Sequence, residues 1–224
     1  MSTPAPPPRT FGRIKGRPLK ASQAHALAAV APLFALDVTR PIEPVALFGP
    51  RPVALEIGFG AGEHLVAQAR AQPDWGFIGV EPFLNGFSAA ARAIGQAGLE
   101  SVRLHQGDAR DVIAHLPDAS LTRVWILFPD PWPKTRHHKR RLIQPDFVAA
   151  LARVLKPGGA VRFATDWADY AAWTLAHFTH APDFDWIADA PRDWRTPFEG
   201  HVTTRYEAKR LGDCAPIFLE FVRR

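Results

Sequence analysis

Short apolar runs alternate with helical segments from residue 53 to the end of the chain, and this alternation restricts the fold more than any other feature. Strands are expected over residues 53–57, 77–80, 102–104, 124–128, 160–164 and 217–222. Helices are expected over about 62–71, 84–97, 147–155 and 168–178, the third stopped by Pro157, Gly158 and Gly159. Such an order implies a mostly parallel sheet with helices on both faces. Ligands of these sheets sit in the crevice at the carboxyl ends of the strands. Glu56, Glu81, Asp108, Asp130 and Asp166 all fall at or near expected strand ends. They are either solvated turn acids or, as five acids in register suggest, the walls of one crevice.

The 224 residues suit a single domain over 21–224, preceded by an arm over 1–20. Pro4, Pro6, Pro7 and Pro8 oppose regular structure in the arm, and Arg9, Arg13, Lys15, Arg17 and Lys20 are its only charges. It reads as a basic, Pro-rich flexible arm, either solvated or docked on phosphates. Lys and Arg number 27 against 22 Asp and Glu, a surplus that points to nucleic acid only where it clusters. Cys214 stands alone, which excludes intramolecular disulfides and Cys-rich metal sites and suits a reducing compartment. The N-terminus lacks the apolar core of a signal peptide. The longest apolar run, about 24–36, is too short to span a bilayer and contains His25 and Pro32. A cytoplasmic protein without membrane contact or bound metal is expected, as monomer or homodimer.

Glu56-Ile57-Gly58-Phe59-Gly60-Ala61-Gly62 follows a strand and opens a helix. Gly58, Gly60 and Gly62 let the backbone approach a ligand, and Glu81 ends the next strand, where a carboxylate can accept from both hydroxyls of a ribose. The site is that of a nucleoside cofactor. The dinucleotide fingerprint would place its third small residue where Glu63 stands, and an acid at that helix start repels a pyrophosphate. S-adenosylmethionine, with a sulfonium, an amino group and no phosphate, suits this acidic loop. The spacing of the glycines, Glu81 and Asp108 resembles class I, Rossmann-like methyltransferases. That resemblance implies a seven-stranded sheet, Glu81 on the ribose, Asp108 beside the adenine and the glycine turn facing the methionine moiety.

Residues 128–141, Phe-Pro-Asp-Pro-Trp-Pro-Lys-Thr-Arg-His-His-Lys-Arg-Arg, join a proline-restricted loop to a basic run. Trp132 offers a stacking face, and the cations suit a phosphate backbone near a reacting base, although a solvated surface would also carry them. With the glycine turn and Thr204-Arg205-Tyr206-Glu207, this segment resembles the bacterial tRNA (guanine-N7)-methyltransferases over roughly residues 9–224. The family methylates a guanosine in the tRNA variable loop, position 46, using S-adenosylmethionine. The resemblance implies that Glu56, Gly58, Gly60, Gly62, Glu81, Asp108 and Asp130 hold the cofactor, with Asp130 also the catalytic acid. It implies further that Lys134, Asp166, Thr204, Arg205, Tyr206 and Glu207 meet the substrate, and that Arg136, His137, His138, Lys139, Arg140 and Arg141 bind RNA.

Ala61 stands where many members have Met, His64 where many have a small residue, and Pro82-Phe83 where others carry Val-His. Every charged ligand of the family pattern is present. Two other readings remain open on the residues alone. A small-molecule methyltransferase would share the fold, and a non-catalytic RNA-binding protein would carry a vestigial nucleoside site.

Overall fold

The computed structural model describes residues 11–224 except 13 and 15. Most of the arm expected over 1–20, including Arg9, Arg13 and Lys15, lies outside the described residues.

The chain runs α1 (Ala21–Phe34), α2 (Pro44–Phe48), β1 (Val53–Ile57), α3 (Glu63–Ala71), β2 (Gly76–Val80), α4 (Leu84–Ala97), β3 (Val102–His105) and α5 (Ala109–His115). It continues through β4 (Leu121–Leu127), α6 (Pro145–Val154), β5 (Leu155–Thr165), α7 (Ala168–His180), β6 (Phe184–Trp186) and β7 (Ile217–Arg223). Among the described residues the strands form one seven-stranded sheet in the order β3-β2-β1-β4-β5-β7-β6. The five strands from β3 to β5 are parallel, and β7 runs antiparallel to both β5 and β6.

Every residue of β1 and β2 is buried, as expected of central strands covered on both faces. Side-chain alternation divides them between two cores. Val53, Leu55 and Ile57 join Val124, Ile126, Val161 and Phe163 on the face covered by α5, α6 and α7. Ala54 joins Phe77, Trp125 and Ala164 on the face covered by α1, α3 and α4. Glu56 shares the parity of Ala54, so its carboxylate enters the second face.

Residues 24–36 mostly form α1, which packs on α4, and Leu36 N donates to Leu104 O at 2.9 Å beside β3. No described helix is long and apolar enough to cross a membrane. The expected helix over 147–155 ends one residue early, because Leu155 already pairs with Leu121. Pro157, Gly158 and Gly159 belong to β5 and not to a loop. The register shifts opposite Leu121 and Arg123, and Gly158 takes a φ of 78°. A proline without an N–H and two residues without side chains suit this bulge.

Candidate active site

The carboxyl ends of β1, β2 and β4 open into a cavity of about 340 Å³. Its walls include Gly58, Gly60, Glu81, Asp108, Asp130, Trp132 and Tyr206. The acids expected at strand ends do not all reach it.

Gly58 and Gly60 have φ values of 77° and 56°, and a Cβ at either would meet nothing within 4 Å. The left-handed backbone, not lack of space, requires glycine there. Gly62 lies behind the wall. A Cβ on it would sit 2.7 Å from the Cβ of Ala90, so this glycine lets α3 start against α4.

Glu81 is 7% exposed. Its Oε2 accepts from Gly60 N at 2.7 Å, and its Oε1 accepts from Phe83 N at 2.8 Å. Burial pushes its carboxyl above the usual carboxylate range, the two backbone donors pull it back, and the negative charges of Asp130 and Glu56 raise it further. A carboxylate has about four lone-pair directions, so two remain for a ligand. Asp108 caps α5 by accepting from Arg110 N at 2.9 Å, and the Arg110 guanidinium lies 3.3 Å from both of its oxygens.

Glu56, expected to hold the cofactor, is turned away from the cavity toward α3. It is 2% exposed, its Oε2 lies 2.7 Å from His64 Nδ1, and it is not part of the cavity wall. The physical reason is strand parity, which aims Glu56 beneath α3. There His64, itself 2% exposed, packs edge-on against Trp125 with ring centroids 5.1 Å apart.

The opposite wall is the loop after β4. Phe128 and Trp132 hold φ values of 51° and 44°. Left-handed backbone in bulky residues costs about 1–3 kcal/mol each and persists only where the surroundings enforce it. Phe128 N donates to Ala164 O at 2.7 Å, and Arg141 Nε donates to Pro131 O at 2.9 Å. Asp130 is open at the cavity mouth, yet the walls around it withhold enough water to push its carboxyl above the usual range.

The remaining expected substrate residues occupy two places. Asp166 is 3% exposed; its Oδ2 accepts from Gly212 N at 2.8 Å and its Oδ1 has no partner. With Glu207 it lines a second cavity. Glu207 N donates to Thr204 Oγ1 at 3.2 Å, and Thr204 N donates to Glu207 Oε2 at 3.3 Å. This reciprocal cap starts the short 3₁₀ turn Glu207–Lys209. Tyr206 faces the first cavity and packs on Phe128 at 6.1 Å, so the segment 204–207 separates the two cavities. Arg205 is exposed and pairs with Glu63 at 2.8 Å. Lys134 is exposed and precedes the basic turn.

The basic run divides. Thr135–Arg140 is a 3₁₀ turn on which Arg136 and Lys139 are exposed. The Arg140 guanidinium lies over Trp132 at 4.9 Å and over Phe11 at 5.6 Å. His137 meets the edge of Trp132, and partial desolvation and then the cations around it hold its imidazole below the usual range. His138 turns toward Trp173 and lies 3.4 Å from Asp169. Arg141, expected to bind RNA, is 1% exposed. Its charge pairs with Asp169 in the first turn of α7, which withdraws it from any phosphate.

Several site residues have no signature in the sequence. Phe11, Gly12, Arg110 and Leu142 complete the first cavity. His64 and Gln68, one turn apart on α3, reach the loop before Thr204. Gln68 Nε2 donates to Gly200 O at 2.7 Å, and the rings of His64 and His201 lie 6.2 Å apart. The spacing of two buried polar residues on one helix face was the only available signal.

Residues 50–218 match the family model described as "Putative methyltransferase". The tRNA (guanine-N(7)-)-methyltransferase of Caulobacter sp. (strain K31) is 55% identical over 221 residues, which cover 98% of this chain and 97% of that protein. Among solved structures, an antibiotic-related methyltransferase superposes with a TM-score of 0.54 at 16% identity, covering 87% of this chain and 98% of that one. A Streptococcus mutans protein solved in complex with SAH gives 0.53 at 8% identity, covering 92% and 99%. At these identities the structures show the fold alone.

The Glu56–His64 contact generates a stability test. Glu56→Ala strands a buried imidazole, so the unfolding free energy should fall by about 1–3 kcal/mol. His64→Ala added to it should cost less than the sum of the single changes. Urea denaturation of both single variants and the double variant measures the coupling, and strict additivity would separate the two side chains.

Proposed function

Because the chain belongs to the tRNA (guanine-N(7)-)-methyltransferase family, we propose that it methylates N7 of a guanosine in the tRNA variable loop, with S-adenosylmethionine as donor. The observation that carries this reading is the pairing of two unlike walls in one cavity. One wall is bare glycine backbone with Glu81 and Asp108; the other is a strained loop with Asp130 and Trp132, bordered by exposed cations. A small-molecule methyltransferase would not need the cations, and a purely binding module would not need the strain.

The cavity fits the cofactor. Gly58 and Gly60 leave open space where side chains would project. Glu81 keeps lone pairs that would accept from the ribose hydroxyls, and Asp108 would hold the adenine end. Glu56 supports the glycine turn from behind, through His64. When bound, S-adenosylmethionine supplies an electrophilic methyl group on a sulfonium.

Guanine N7 carries a lone pair and no proton, so no general base is needed at that atom. Positive charge grows on the purine as the new bond to carbon forms. A carboxylate held beside the ring stabilises that charge more than it stabilises the neutral base, and this difference lowers the barrier. Asp130 is placed for the task between Pro129 and Pro131, which limit its reorganisation. The exposed Arg136 and Lys139 and the half-buried Arg140 meet the RNA backbone. Asp166 and Glu207 line the second cavity, beyond Tyr206, and offer acceptors there to donor groups of the RNA substrate.

Incubating the protein with labelled S-adenosylmethionine and bulk tRNA should place the label in 7-methylguanosine on nucleoside analysis; label in another nucleoside would sink the reading. In single turnover at saturating cofactor and tRNA, Asp130→Asn should slow transfer by about 10²–10³. The pH profile carries the same sign. Burial raises the Asp130 carboxyl, so the wild-type rate should fall on acidification before an ordinary exposed aspartate would protonate, while Asp130→Asn should lack that limb. Neutralising Arg136, Lys139 and Arg140 together should weaken tRNA binding. Its log–log salt dependence should also flatten, by about 0.7–0.9 for each phosphate that the protein no longer neutralises. Binding measured at several salt concentrations checks this.

A further inference from the structure

Arg141 ends the basic run, yet its surroundings are those of an interior residue. Its guanidinium lies 4.9 Å from the ring centre of Tyr170 and 5.1 Å from that of Trp173, both on α7. Nη2 is paired with Asp169, and Nε donates to Pro131 O at 2.9 Å. One planar group therefore joins the start of α7 to the residue that follows Asp130.

The loop needs such a tie. Pro129, Pro131 and Pro133 have no N–H to donate, so the backbone at these positions can be held only through its carbonyls. The loop enters and leaves Asp130 through two aromatic residues in left-handed backbone, Phe128 and Trp132. The Phe128 end is fixed to β5 by its bond to Ala164 O. Beyond Asp130, the Pro131 carbonyl is fixed by Arg141. A guanidinium suits both partners at once, because its donors diverge in one plane and its charge persists in a buried setting. A lysine in its place keeps the charge but cannot present the same fork.

We propose that Arg141 is a positioning residue for methyl transfer: it holds the Pro131 carbonyl against α7 and thereby fixes Asp130 in the cavity, and it does not contact RNA. This rests on the role of Asp130 under the proposed function. Asp169 shares the task by orienting the guanidinium. Its side chain is 62% exposed, so it can be changed with little effect on the core.

The test compares Arg141→Lys, Asp169→Asn, Asp130→Asn and the double variant Asp130→Asn with Arg141→Lys. Arg141→Lys should slow single-turnover transfer by about tenfold to a hundredfold, the scale of a misplaced reacting group. Its cofactor affinity, tRNA affinity and salt slope should match the wild type. Asp169→Asn should slow transfer in the same direction by less. The double variant should run within about threefold of Asp130→Asn alone, because Arg141 acts through that carboxylate. A salt slope reduced in Arg141→Lys with the rate intact would return Arg141 to the RNA interface. A double variant slowed by the product of the single effects would show that Arg141 acts elsewhere. If Arg141→Lys fails to fold, Asp169→Asn decides, and a wild-type rate there overturns the proposal. Asp130→Asn at the wild-type rate would remove the role of Asp130 itself. A slow Asp130→Asn beside an unaffected Arg141→Lys would remove only the role given to Arg141.

Discussion

The Glu81 carboxylate, almost closed to water at the tip of β2, accepts one backbone N–H from Gly60 and another from Phe83. The first bond holds the glycine turn after β1; the second holds the chain as it enters α4. Bonds of this charge-assisted kind contribute about 1.5–3 kcal/mol each. They add to the backbone bond from Gly58 N to Val80 O at 2.8 Å, which already joins the start of the turn to the neighbouring strand. A carboxylate that shapes an empty turn and still has lone pairs to offer can serve structure and ligand together. Gly86 on α4 completes the fit, since a Cβ there would stand 2.5 Å from the Gly60 carbonyl oxygen.

The helix that begins at this turn carries the opposite side of the site as well. Glu63 reaches Arg205, Gln68 reaches Gly200, and the buried Glu56–His64 pair lies against His201. His201 Nε2 in turn lies 2.8 Å from Glu207 Oε2. The loop that bears Thr204, Tyr206 and Glu207 is therefore seated on the helix that the glycine turn opens. His64 is the centre of that seat.

Much of this was legible in the chain. The six strands expected from their apolar runs all form, because central parallel strands leave near-continuous apolar stretches. The glycine turn was legible because left-handed backbone requires a particular residue type at particular places. Strand β6 was not, since three residues at a sheet edge have no periodicity to read, and α2 and α5 are short for the same reason. The surroundings of Glu56 and Arg141 were not legible, for different physical causes. For Glu56 a strand-end position was read without its parity. For Arg141 a run of like charges was treated as one surface, although its last member meets an acid and two aromatic rings 28 to 32 residues later in the chain. Contacts of that sequence separation leave no local trace.

The place of β7 has a consequence for how the molecule is made. It lies between β5 and β6, and is the last strand of the sheet to leave the ribosome. Until it arrives, one edge of β5 offers unpaired backbone groups, and β6 has no partner at all. The parallel half can assemble during synthesis, but the antiparallel half must wait for β7, which pairs with β5 on one side and with β6 on the other. Closing it needs contacts distant in sequence, which form slowly. Over that interval the exposed edge of β5 is the part of the nascent chain most open to pairing with a neighbouring copy.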